Sequence, residues 1–171
     1  MDLKKCVGIV KDYPKKGISF KDISPLCADK KAFKKMIDEM IRLIGDAKFD
    51  KIIAADARGF IFGSVIAYQL GKGLVIARKT GKLPNPGKTI SSKCEYGNIS
   101  FQVGKGTIKA GDRCIVVDDL LATGGSAKVL DDLCKHYKGK VVGNIFAIEL
   151  TDLKGGEILE GFTRSVIQYK I

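Results

Sequence analysis

The sequence has no apolar run long enough to cross a bilayer. Its first residues, Met1-Asp2-Leu3-Lys4-Lys5, lack the apolar stretch of a secretory signal. The expectation is a soluble, cytoplasmic chain with no membrane partner. Cysteine is sparse: Cys6, Cys27, Cys94, Cys114 and Cys134 make an odd number, with no two at CxxC spacing. That pattern argues against both a disulfide framework and a structural zinc site. The single histidine, His136, falls late in an amphipathic helical stretch and receives no catalytic role. No Walker A loop is present, which argues against nucleotide hydrolysis. Repeats, low-complexity tracts and linkers are also missing, so residues 1–171 are expected to form one domain.

Charge is plentiful, and it is unbalanced. Thirty Lys and Arg residues against nineteen Asp and Glu give a formal net charge of +11. Such a surface could attract nucleic acid, or a basic site could attract a small polyanion. The lysines are spread along the chain rather than packed into one block, and no appended nucleic-acid-binding domain accompanies them. No nucleic-acid partner is therefore expected.

Periodicity outlines the architecture. Lys30, Lys31, Lys34 and Lys35 mark the polar face of a helix whose other face carries Phe33, Met36, Ile37, Met40 and Ile44. Asp29 is its expected cap and Gly45 its stop. Residues 52–55 read as a short buried strand. A helix from Phe60 to Leu70 follows, with Ile61, Val65, Ile66 and Leu70 as its apolar face. Residues 74–77 read as another buried strand. From Thr80 to Gly97 no period holds, so a long irregular loop is expected. Ile99–Val103 alternates like a half-exposed strand, and residues 114–117 form the clearest buried one. A helix behind Gly124-Gly125, with Ala127, Leu130, Leu133, Cys134 and Tyr137 inward, precedes strands at 141–148 and near 165–168. Alternating strands and helices imply an α/β fold: a mainly parallel twisted sheet flanked by helices. Ligands of such sheets bind beyond the carboxyl ends of the strands.

The richest stretch is Cys114-Ile115-Val116-Val117-Asp118-Asp119-Leu120-Leu121-Ala122-Thr123-Gly124-Gly125-Ser126-Ala127. An apolar strand runs into two adjacent carboxylates, then a loop of small residues, then a helix. A loop from Ala122 to Ser126 can aim consecutive N–H groups into one concavity. The helix behind it adds free N–H groups and the positive end of its dipole. Thr123 and Ser126 add hydroxyl donors. The sum is a site for a phosphate monoester.

Residues 116–125 resemble the phosphoribosyl pyrophosphate signature of type I phosphoribosyltransferases, in the form that takes adenine. The resemblance spans about Tyr13 to Tyr169. It implies transfer of a phosphoribosyl group to adenine, giving AMP and pyrophosphate, with Mg²⁺ held mainly by substrate and water rather than by side chains. Asp118 and Asp119 would engage the ribose hydroxyls, and Ala122, Thr123, Gly124, Gly125 and Ser126 the 5′-phosphate. Asp56-Ala57-Arg58-Gly59 is similar to the family's pyrophosphate loop, where a non-proline cis peptide is expected between Asp56 and Ala57. Arg78-Lys79-Thr80-Gly81-Lys82 resembles a basic segment beside it, which brings Arg78, Lys79 and Lys82 to the leaving group and implies a homodimer with shared sites. Glu95-Tyr96-Gly97 resembles the catalytic loop. Its Glu95 would serve catalysis by exchanging a proton with the purine, and Arg58 would assist catalysis at the pyrophosphate.

Residues 13–25 resemble the family's hood, and residues 1–30 are assigned to it. There, backbone groups of Ser19 and Lys21 would read the adenine edge, with Phe20 beside the ring. Taken without the resemblance, Tyr13 and Phe20 are ordinary core aromatics, and Glu95 is ordinary surface. Two other functions stay open at this point: transfer to hypoxanthine, guanine or xanthine, and a non-catalytic regulator that senses phosphoribosyl pyrophosphate while binding nucleic acid.

Overall fold

The computed structural model describes residues 1–94 and 97–170. Two sheets form. The smaller pairs β1 (Gly8–Lys11) with β2 (Ser19–Asp22), antiparallel. The larger has seven strands: β3 (Lys51–Ala55), β4 (Gly73–Lys79), β5 (Pro86–Cys94), β6 (Gly97–Gly104), β7 (Arg113–Leu121), β8 (Lys140–Leu150) and β9 (Phe162–Tyr169). Their spatial order is β5-β6-β4-β3-β7-β8-β9. Strands β4, β3, β7, β8 and β9 are parallel, while β6 and β5 extend the sheet antiparallel. From β3 the chain runs outward to β4, and from β7 it runs the opposite way to β8. That reversal opens a crevice at the carboxyl ends of β3 and β7, where ligands of open α/β sheets bind.

Helices cover both faces. A short α1 (Ser24–Ala28), α2 (Lys30–Ile44) and α3 (Gly59–Leu70) lie on one face, while α4 (Gly125–His136) lies on the other. The Asp29 carboxylate caps α2 by accepting from the Lys31 and Ala32 amides, and Gly45 ends it at φ 61°. Met36, Ile37, Met40 and Ile44 of α2 pack with Ile52, Ile115 and Ile145 of the sheet. Ala127, Leu130, Leu133 and Cys134 of α4 pack with Val75, Val116 and Phe146 on the opposite face. No helix of the described residues is long and apolar enough to cross a membrane.

Three expectations need correction. Residues 80–97 are not one irregular loop: Pro86–Cys94 is a strand, hydrogen-bonded along β6 with a bulge between Pro86 and Thr89. Its period is hidden because it is an edge strand whose described side chains are exposed or half-buried, so no apolar alternation marks it. Proline at the first residue of such a strand costs no ladder bond. Residues 74–77 are only half-buried: Val75 and Ala77 are covered, while Leu74 and Ile76 keep 38% and 42% of their surface. On α3 the inward face is Phe62, Gly63, Ile66 and Ala67, and Ile61 points outward. That helix is apolar nearly all round, so periodicity could not choose its inner face. Its glycines did. A Cβ on Gly63 would lie 2.6 Å from that of Ala54, so only glycine lets the helix approach β3 this closely.

Candidate active site

Asp118 and Asp119 lie buried toward the carboxyl end of β7, with relative exposures of 9% and 4%. The Asp118 carboxylate accepts from the Asp119 amide at 2.8 Å. Burial pushes the Asp118 carboxyl well above the usual range, and the neighbouring Asp119 charge adds to this. Asp119 is also raised by burial, against the pull of the Arg58 guanidinium. Arg58 Nε lies 2.9 Å from Asp119 Oδ2. That oxygen is buried and has no aligned hydrogen-bond donor among the described residues, so the pair is an electrostatic contact with acceptor capacity to spare. Gly59, beside Arg58, is required here: a Cβ would lie 2.9 Å from Asp118 Oδ1.

Beyond Leu121 the chain turns through Ala122-Thr123-Gly124 into α4. Gly124 adopts a left-handed conformation, φ 84°, at the helix N-cap, and no side chain of the described residues caps the helix. Its first-turn N–H groups are left for a ligand. Thr123 is exposed and Ser126 half-buried at the same end. Residues 122–126, the expected cradle, thus run from the end of β7, just past the acid pair, into the N-terminus of α4. Sequence reasoning missed what stands behind it. Gly155 packs on the cradle so closely that a Cβ would overlap the Ala122 carbonyl oxygen and lie 2.7 Å from the Gly124 nitrogen. Nothing local to Gly155 signals this; the contact joins segments about thirty residues apart.

Asp56 follows β3 and gathers the basic segment. Its Oδ2 accepts from Arg78 Nε at 3.0 Å and from the Lys79 amide at 3.4 Å, with Lys82 Nζ at 3.9 Å. Burial pushes the Asp56 carboxyl up, but these donors and the charges of Lys82 and Arg78 hold it below the ordinary value. The Asp56–Ala57 peptide is cis, as expected. Arg78, Lys79 and Lys82 thus meet Asp56 at the carboxyl ends of β3 and β4. Arg58 turns the other way, toward Asp119 and the Phe20 ring, whose centroid is 5.1 Å from its guanidinium carbon.

That ring belongs to a cavity of about 680 Å³ between the small sheet and α3, lined by Tyr13, Phe20, Ile23, Cys27, Arg58 and Ile61 among others. Phe20 meets Tyr13 edge-on at 5.3 Å. Ser19 and Lys21 flank Phe20 on β2, but their side chains bond to each other at 2.9 Å and do not line the cavity. Cys27 and Ile61 were not anticipated: Cys27 sits on a five-residue helix without a readable period, and Ile61 was assigned inward. Glu95 and Tyr96 lie outside the described residues.

Comparison with known proteins places the chain in a family. The phosphoribosyl transferase domain family covers residues 23–153. An adenine phosphoribosyltransferase of Clostridium botulinum is 46% identical over 174 residues, with both chains covered in full. The crystal structure of adenine phosphoribosyltransferase from Thermoanaerobacter pseudethanolicus superposes with a TM-score of 0.94 at 42% identity, over 98% of each chain. The Saccharomyces cerevisiae enzyme, solved with an imino-altritol bisphosphate and adenine, gives 0.88 at 34% identity over 95% of each chain. An acid pair before an amide cradle, a basic cluster on Asp56 and an aromatic cavity thus lie along one crevice, and this chain belongs to the phosphoribosyltransferase family, in its adenine phosphoribosyltransferase branch.

Proposed function

We propose that this chain transfers the 5-phosphoribosyl group of phosphoribosyl pyrophosphate to adenine, forming AMP and pyrophosphate. The observation that carries this reading is Arg58, which touches both the sugar-side acid Asp119 and the base-side ring of Phe20. A donor sugar and an acceptor ring bound on either side of it would meet end to end. Full-length relatives named as adenine phosphoribosyltransferases support the choice of base.

In this reading Asp118 and Asp119 accept hydrogen bonds from the ribose hydroxyls, which are short and strong to a carboxylate. The amides of Ala122–Ser126, with the Thr123 and Ser126 hydroxyls, hold the 5′-phosphate. Arg78, Lys79 and Lys82 face the pyrophosphate, with Ala57 and Asp56 setting the loop beneath it. The purine N9 forms its bond to C1 as the C1–oxygen bond breaks. The electron pair leaves on pyrophosphate, C1 inverts, and the purine proton passes to Glu95. Backbone groups of Ser19 and Lys21 read the base edge. A carbonyl acceptor suits an amino group, and an N–H donor suits an unprotonated ring nitrogen. An oxopurine would reverse both partners, at about 1–3 kcal/mol for each group left unpaired.

No three His, Cys, Asp or Glu side chains of the described residues could together hold a metal ion. The spare acceptor capacity of Asp119 and the oxygens of Asp118 still fit Mg²⁺, which takes few protein ligands and keeps substrate oxygens and water. Bound there, it would neutralise charge on the leaving group.

A homodimer is part of the proposal. Ile61 and Tyr68 on α3, and Leu74 and Ile76 on β4, remain 38%, 90%, 38% and 42% exposed. Leu74 and Ile76 pair with Ile52 and Ala54, so they share the sheet face on which α3 packs and make one apolar surface with it. A cytoplasmic location suits substrates of this kind. The test is direct: labelled adenine, phosphoribosyl pyrophosphate and Mg²⁺ are mixed with the protein. AMP should appear, and hypoxanthine or guanine should not compete. Binding of phosphoribosyl pyrophosphate without turnover would reject the enzyme reading.

A further inference from the structure

The small sheet that carries Phe20 is not part of the large one. Among the described residues, strands β1 and β2 pair only with each other, and their side chains are all exposed or half-buried. An isolated two-stranded unit is marginal in water, so its position depends on whatever ties it to the body. One tie lies outside the lining of the cavity. Lys21 of β2 turns its side chain away from the base side and sets its ammonium 4.7 Å from the centroid of the Tyr169 ring, at the end of β9. The same ammonium donates to Ser19 Oγ at 2.9 Å. Lys4, from the N-terminal segment, places a second ammonium 5.2 Å from that ring, and the Tyr169 hydroxyl donates to the Lys4 carbonyl at 3.4 Å.

Tyr169 itself is held firmly. It pairs with Leu150 in the large sheet, its carbonyl accepts from Thr151 Oγ1 at 3.2 Å, and its ring packs against the core. The ring is thus a fixed platform, while the lysine comes from the marginal element. Burial lowers the Lys21 ammonium from its ordinary value, so the contact is partly shielded from water, where cation–π attraction is stronger.

We propose that Tyr169 is a positioning residue for the purine: its ring holds the Lys21 ammonium and thereby sets where β2 presents Phe20 and the neighbouring backbone. The inference rests on the adenine-transfer reading above. It assigns a role in base binding to the C-terminal strand, which touches neither substrate.

Initial-rate kinetics with adenine and phosphoribosyl pyrophosphate varied separately test it, on the full chain. Tyr169→Leu removes the ring face and should raise KM for adenine by about 3- to 10-fold, the range expected for losing a partly shielded cation–π contact. KM for phosphoribosyl pyrophosphate should stay within about two-fold, because the acid pair and cradle lie on other elements. Tyr169→Phe keeps the face and should restore the wild-type KM for adenine. Lys21→Met leaves the ring in place, so it separates loss of the contact from damage to the core; it should match Tyr169→Leu. The double variant should be no worse than either single one, as expected for two residues acting through one contact. Equal rises in both KM values, additive effects, or an unchanged KM for adenine in Lys21→Met would overturn the proposal. Absence of AMP formation by the wild-type chain would instead reject the reading beneath it, and the proposal with it.

Discussion

Asp118 and Asp119 sit near the end of a strand with neighbours on both sides, whereas Phe20 sits on a strand whose only partner among the described residues is β1. The acids are 9% and 4% exposed; Ser19, beside Phe20, is exposed, and Phe20 and Lys21 are half-buried. The end proposed for the sugar phosphate is built into the large sheet and backed by Gly155, while the end proposed for the base is carried by the separate small sheet. The difference has a physical basis. Ribose and phosphate are recognised through charge and main-chain amides, which must be rigid to discriminate. A flat purine is recognised by a ring and a strand edge, which can be delivered by a mobile element that opens for entry.

The comparison breaks most readily at Asp119. Asp119→Asn removes a charged acceptor for the ribose and leaves Arg58 facing a neutral amide. The kcat/KM for phosphoribosyl pyrophosphate should fall by about 100-fold or more, as charge-assisted contacts in buried sites cost when one partner is lost. Steady-state kinetics at saturating adenine check this. A variant with near wild-type kcat/KM would mean the acid pair does not hold the sugar.

Next in size is Gly155→Ala, far from the acids in sequence. The added methyl must displace either the Ala122 carbonyl or the Gly124 amide. Either shift moves the cradle, and misplacement of about 1 Å can cost about 100-fold. We expect KM for phosphoribosyl pyrophosphate to rise about 10- to 100-fold, with KM for adenine changed far less. Phe20→Ala should give the mirror result, at about 10-fold in KM for adenine, from loss of an aromatic face over the base. If Phe20→Ala and Gly155→Ala raised the same KM, the two ends would not be separate sites.

These two residues also mark how much was legible. The run from Cys114 to Ala127 carries strand, acids, turn and helix start in one contiguous order, so local chemistry sufficed to read it. The alternation of strands and helices likewise disclosed the parallel sheet. Gly155 could not be found that way, because its importance comes from the Ala122 and Gly124 backbone, brought to it by the fold. Arg58 was readable as a functional cation but not as one turned toward Phe20, since the direction depends on how the small sheet docks. The strand Pro86–Cys94 was hidden because an edge strand with exposed and half-buried side chains has no apolar face to display.

The smallest effect concerns a third buried acid, behind the cradle rather than in it. Asp131 of α4 is fully buried; its Oδ2 accepts from the Glu160 amide at 2.8 Å, and Asn144 Nδ2 donates to the Glu160 carbonyl at 2.9 Å. Together they pin the segment that brings Gly155 to Gly124. Asp131 Oδ1 and Asn144 Oδ1 are buried acceptors without hydrogen-bond donors among the described residues. Burial raises the Asp131 carboxyl from 3.8 to about 6, against the Glu160 amide, Asn144 and Lys128. The folded chain therefore holds a proton that the unfolded chain has released between about pH 4 and 6. Stability is lost as pH rises through that window, by about 3 kcal/mol once above it. In Asp131→Asn the amide oxygen can still accept from Glu160, its NH₂ can donate to Asn144 Oδ1, and no charge is buried. Melting temperatures of both proteins at pH 4 and pH 8 supply the check. The variant's Tm relative to wild type should be higher at pH 8 than at pH 4, by several degrees for a domain of this size. A difference that did not change with pH would show that Asp131 does not change its protonation between pH 4 and pH 8.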